Sequence, residues 1–181
     1  MKKNVWIAIA LVVAVFSFSS CGTQQSATQP TSKPVTTDTV VSVEPIKDVI
    51  SIAEALEMFQ NPDKTAAITK KYGYKLKTNY KVYRLDKFTK MYYKNCALAK
   101  LLTADKYEDY PKPMRKGVSS YIAFKDGAMI IAVFNQPAYD NLVAQVKAAG
   151  FTLDMPGNED IYKKGNRTIA CYKDGKSVRI E

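Results

Sequence analysis

Hydrophobic and polar positions change rhythm several times along the chain. Residues 5–16 form an unbroken apolar run of twelve. Residues 22–45 carry six Thr, three Ser, three Gln and three Pro, and no aromatic residue. Over 48–60, Val49, Ile52/Ala53, Leu56 and Phe59 recur at helical spacing. Asn61-Pro62 reads as an N-cap followed by proline at the first helical position, and Gly73 as a stop, so a second helix is expected over 62–72. A third is expected over 134–151, with Tyr139, Leu142/Val143, Val146 and Ala149 on its apolar face and Gly150 at its end.

Elsewhere the period drops to two. Asp126-Gly127 and Asp174-Gly175 each separate two β-prone runs, the pattern of a tight hairpin, and Gly165-Asn166 turns 160–164 back into 167–173. Between these blocks, Leu98, Leu101 and Leu102 fall on one side of 95–108, which predicts a helix, and 110–117 reads as a loop. Helices and antiparallel strands in blocks, without βαβ alternation, predict an α+β fold: antiparallel sheet with packed helices.

The two helix-plus-strand blocks repeat a plan. Phe59-Gln60-Asn61-Pro62 is echoed by Phe134-Asn135-Gln136-Pro137, and Gly73-Tyr74 by Gly150-Phe151. At a constant offset of 79, Val82-Tyr83 matches Ile161-Tyr162, Thr89 matches Thr168, and Tyr93-Lys94 matches Tyr172-Lys173. The expectation is two diverged helix-plus-meander repeats, about 46–133 and 134–181. The architecture loosely resembles that of tandem β-lactamase-inhibitor-like modules, an analogy of fold that implies no function.

The N-terminal run is too short for a bilayer span, which needs about 20 apolar residues. Lys2 and Lys3 precede it, and small polar residues follow, the order of a secretory signal peptide over 1–20. Phe18-Ser19-Ser20-Cys21 resembles a bacterial lipobox, with Phe18 in the place usually held by Leu. The resemblance implies that Cys21 becomes the lipidated first residue of a mature lipoprotein. Several acyl chains would anchor it stably to a membrane of the cell envelope. Gly22 after the cysteine favours the outer membrane. Residues 21–45 are then a lipidated flexible tether, too poor in apolar side chains to fold, and 46–181 the globular body.

Charge narrows the picture further. The chain has 27 Lys+Arg against 17 Asp+Glu, a net +10. Losing Lys2 and Lys3 with the leader leaves +8, and residues 70–94, with nine bases and one acid, are themselves +8. That stretch also holds seven aromatics. Period-two alternation sets Tyr74, Leu76, Met91 and Tyr93 against Lys75, Lys77, Lys81, Tyr83, Lys90, Tyr92 and Lys94. The second set is the candidate ligand-binding ridge, since ammonium groups beside aromatic rings suit polyanions and sugars. An exported protein does not meet nucleic acid, so the expected partners are an anionic glycan, a glycolipid or an acidic envelope protein.

With no histidine, His-based acid–base chemistry, Ser-His and Cys-His nucleophiles and His-ligated metals are excluded. No cofactor or metal motif occurs. Cys96 and Cys171 remain as either a disulfide, which an exported compartment permits, or two buried thiols. A non-enzymatic binding module is therefore the leading expectation. The alternatives are a carbohydrate hydrolase using carboxylates such as Asp105, Glu108 or Asp160, and a structural subunit of an envelope assembly, which predicts an exposed apolar patch.

Overall fold

A computed structural model describes residues 42–82, 86–104, 106–108, 110–114 and 117–181. The leader, Cys21 and the tether up to residue 41 lie outside the described residues, as do Tyr83, Asp105 and Asp109. The expected α+β class is what the chain adopts. Among the described residues three helices, α1 (Ile52–Gln60), α2 (Thr65–Lys71) and α3 (Gln136–Ala148), accompany twelve strands. In chain order the strands are β1 (Lys75–Val82), β2 (Asp86–Lys94), β3 (Cys96–Ala97), β4 (Leu101–Thr103), β5 (Lys106–Tyr107), β6 (Lys112–Pro113), β7 (Ser120–Lys125), β8 (Ala128–Val133), β9 (Thr152–Met155), β10 (Glu159–Lys164), β11 (Arg167–Tyr172) and β12 (Ser177–Ile180). None of the described helices is long and apolar enough to cross a membrane.

Eight strands form one antiparallel sheet in the order β1-β2-β7-β8-β12-β11-β10-β9. Each half is a meander preceded by a helix, and the two meet where β8 pairs with β12. The order is symmetric about that seam. The helix-level echoes fit it, because Phe59 and Phe134 are 75 residues apart and Gly73 and Gly150 are 77 apart. The matches at offset 79 do not fit. They set β2, second in its meander, against β11, third in the other.

Helix boundaries follow local chemistry. Ser51 caps α1 by accepting from the Glu54 N–H, three residues later than the start suggested by apolar spacing alone. Asn61 makes no side-chain cap, although Pro62 does open a short 3-10 turn leading into α2. Asn135 caps α3 at the Ala138 N–H (2.9 Å), with Pro137 in the first turn. The helices cover one face of the sheet, where Met58, Leu142 and Val146 pack on Ile122, Ile131, Ile169, Val178 and Ile180 in one continuous core. Residues 44 and 46, next to the expected boundary at 45, are both held by Asn141. The Asn141 amide donates to the Glu44 carbonyl (2.9 Å), and its oxygen accepts from the Ile46 N–H (3.2 Å).

The hairpin signals hold with one modification. Asp126 and Gly127 both have positive φ (50° and 80°), the requirement of a two-residue type I′ loop between β7 and β8. Between β11 and β12 the loop is longer. Lys176 N–H donates to Lys173 O (3.2 Å), and Lys176, φ 48°, takes the left-handed position instead of Gly175.

The predicted helix over 95–108 does not form. Asn95 (φ 50°) turns the chain out of β2, and Cys96–Ala97 pairs with Lys112–Pro113. Leu101–Thr103 pairs with Lys106–Tyr107. The tertiary setting overrides propensity here: Leu98 and Ala99 are drawn onto a second, smaller core of Tyr80, Phe88, Met91 and Ala123, on the sheet face away from the helices. The Ala99 N–H donates to the Tyr80 hydroxyl (2.9 Å). Leu101 and Leu102 are left 55% and 54% exposed.

Candidate functional site

Strand register decides which side chains share a face. Across the open face, away from the helices, one row runs Lys75, Tyr93, Tyr121, Ala132, Ser177, Tyr172, Glu159. The next runs Lys77, Met91, Ala123, Ile130, Arg179, Ala170, Ile161. On the helix face, Leu76, Tyr92, Ile122, Ile131, Val178 and Cys171 form a row.

The ridge expected from alternation is therefore split. Lys75 and Lys77 stand opposite Tyr93 and Met91 on the open face, whereas Lys90, Tyr92 and Lys94 belong to the helix face. Antiparallel pairing fixed this. Alternation relates residues within an unbroken stretch of one strand, but the phase between β1 and β2 depends on their register. Tyr92 is a core residue, edge-on to Phe124 with ring centroids 6.2 Å apart, and burial raises its phenol pKa. Lys94 is spent on an ion pair with Asp48 (2.9 Å). Lys90 is exposed beside Phe59, Pro62 and Phe124.

Asn79 sharpens the division. Its φ is 49°, and the β1–β2 ladder lacks an Asn79–Thr89 rung. Tyr80 and Phe88 consequently join Met91 and Ala123 in the open-face core, their rings stacked at 6.3 Å and 12°. Beside them, Lys77, Lys81 and Lys100 converge on a depression of about 560 Å³ that also includes Asn79, Tyr80, Leu98 and Ala99. Two residues of the expected ridge, Lys77 and Lys81, are thus brought together, with Lys100 supplied by the segment that was expected to be helical. Among the described residues none of the three makes an ion pair.

A second cavity on the open face, about 470 Å³, is walled by Phe88, Tyr110, Tyr121, Phe134 and Tyr172 over Ala132 and Ser177. Tyr121 and Phe134 meet edge-to-face at 6.1 Å. Gly175 lets the turn close onto Tyr172, since a Cβ there would lie 2.5 Å from the ring. Sequence reasoning missed this cavity. Its trace was the alternation of large and small residues along β7 (Tyr121/Ala123) and from β8 into the residue after it (Ala132/Phe134), but four strands had to be ordered before it became a site.

Of the candidate carboxylates, Asp105 lies outside the described residues, and Glu108 and Asp160 stand on separate elements. Glu108 accepts from Lys112 Nζ (3.0 Å) and the Lys100 N–H (3.2 Å), and these bonds, Lys112 first, lower its pKa. Asp160 sits in register with Cys171 of the helix-face row and accepts from the Gly157 N–H (3.2 Å). The cysteines are not joined. Cys96 donates to the Ser120 carbonyl on β7 (3.6 Å), and Cys171 is on β11 with β8 and β12 in between. Three strand spacings, about 14 Å, exceed the Cα separation of about 7 Å that a disulfide tolerates. Burial pushes the thiol pKa up to about 11 for Cys96 and about 12 for Cys171.

No protein-family model, curated protein or solved structure matches this chain.

Proposed function

We propose that this chain is a lipid-anchored binding module of a bacterial cell envelope, held at Cys21 to the outer membrane and facing the periplasm. On this reading it binds an anionic glycan or glycolipid at the open face of its sheet. One observation carries the choice of site: Lys77, Lys81 and Lys100 surround a single depression beside the stacked Tyr80–Phe88 pair. Ammonium groups grouped on one surface concentrate anions, while adjacent rings offer area to a sugar or lipid. Two diverged copies of a helix-plus-meander unit are the origin we infer for the body, supported by the symmetric strand order and the echoes at Phe59/Phe134 and Gly73/Gly150.

The anchor is tested by Cys21→Ala, which should release the protein from membranes; pelleting unchanged would refute it. For the site, Lys77→Glu, Lys81→Glu and Lys100→Glu are combined. Each basic side chain near an anionic surface contributes about 1 kcal/mol, so the triple variant should lose at least roughly a hundredfold in affinity for polygalacturonate or for vesicles bearing an anionic glycolipid. Lys90→Glu, on the opposite face, should bind as the parent does. Equal losses from both variants would show a general charge effect and no site.

A further inference from the structure

The aromatic cavity is separate from the lysine depression and has its own logic. Tyr121, Ala132, Ser177 and Tyr172 are neighbours in one row across four adjacent strands. Tall side chains stand at both ends of the row and short ones between them, which makes a trough. Its walls are three strand spacings apart, about 14 Å between backbones. Both walls are held in place. Phe134 meets the ring of Tyr121 edge-to-face, and the turn at Gly175 lies against Tyr172.

The chemistry of the trough selects among occupants. Its floor is the methyl group of Ala132 and the hydroxyl of Ser177, and Asp174 stands at its rim. An acyl chain would strip water from the Ser177 hydroxyl and the Asp174 carboxylate without replacing its hydrogen bonds, which is costly. An organic cation would meet the net positive charge of Lys173, Asp174 and Lys176 in the turn at the rim. An anion would meet Asp174, the one charged side chain among the residues that line the trough. A pyranose fits each feature. Its C–H face lies on an aromatic ring, and its equatorial hydroxyls reach donors and acceptors at the edge.

We propose that this trough binds an uncharged hexopyranose unit of a glycan, packed between Tyr121 and Tyr172 with its hydroxyls directed to Asp174 and Ser177. The site stands whether or not the lysine depression binds anions.

The test is calorimetric titration of the full chain, in a detergent without a sugar headgroup, with neutral hexasaccharides of glucose, mannose and N-acetylglucosamine. At least one should bind. Tyr121→Ala and Tyr172→Ala should each weaken it roughly tenfold or more, the scale of a lost stacking contact. Tyr172→Phe keeps the ring and should stay within a few-fold of the parent. Gly175→Ala should weaken binding by displacing that ring. The titration should be unchanged in about 0.5 M salt, which screens exposed charges and would abolish retention at the lysine depression, so the two sites fail separately. The proposal is overturned if no neutral hexasaccharide binds. It is also overturned if both alanine variants bind like the parent with their folds intact, or if tetramethylammonium or palmitate occupies the trough instead.

Discussion

Glu54 shows how much one side chain holds together. Its carboxylate accepts from Ser51 Oγ (2.9 Å), from Lys71 Nζ (2.6 Å) and from the Tyr72 hydroxyl. Burial pushes its pKa up, but the bonds from Lys71, Tyr72 and Ser51 outweigh burial, and the net shift is downward. Tyr72 moves the other way, up to about 12, through burial first and Glu54 second. A carboxyl whose folded pKa is depressed contributes stability above its unfolded pKa and loses it as pH falls through the folded value. Melting temperature should therefore fall with acidification from about pH 4.5 downward, and Glu54→Gln should be less stable at neutral pH with a shallower acid slope. Melts between neutral and acidic pH decide this; parallel curves for the two proteins would contradict it. Ser51-x-x-Glu54 has the spacing of a capping box, a local signal that apolar spacing alone passes over. The reach of Lys71 and Tyr72 was not legible in the sequence, because it depends on how α2 returns against α1.

At the scale of elements, α3 holds the N-terminal helix as well as covering the sheet. Gln145, buried on α3, accepts from the Ile52 N–H at the start of α1 (2.9 Å) and donates to Asn141 Oδ1 (2.7 Å). Asn141 in turn holds residues 44 and 46. A helix begins with N–H groups that have no intrahelical partner, and a buried one is costly when unmet. Gln145→Leu should keep the volume, orphan the Ile52 N–H and cost about 1–3 kcal/mol, measured as a lowered urea midpoint. An unchanged midpoint would mean that water replaces the amide. The contrast between elements is instructive. Asp126-Gly127 and Gly165-Asn166 specify their hairpins locally, through residues that tolerate positive φ. The leucines of 95–108 carry a helical spacing, yet Tyr80, Phe88 and Met91 offered Leu98 and Ala99 a better place on the sheet.

For the whole molecule, the last strand in sequence is central in space. β12 lies between β8 and β11 and brings Val178 and Ile180, both wholly buried, into the core shared by the two meanders. Strand pairs Ile131–Val178 and Met129–Ile180 cross the seam. Deleting residues 177–181 should therefore abolish cooperative unfolding of the entire body, instead of trimming one end, because the main core that both meanders share loses Val178 and Ile180. Calorimetry should show a single transition for the parent and none for the truncated chain; a surviving transition would mean that β8 and β11 close the gap directly.

The sequence by itself determined the class of fold, most helix limits and the positions of the turns, because caps, prolines and left-handed turn residues act over a few bonds. It also located the basic, tyrosine-rich stretch. Only the tertiary structure decided what that stretch presents. Alternation tells which residues of one strand lie together, and register tells which faces of two strands coincide. Register set Lys77 apart from Lys90, the left-handed Asn79 brought Tyr80 into the open-face core, and strand order assembled Tyr121, Ala132, Ser177 and Tyr172 into one trough.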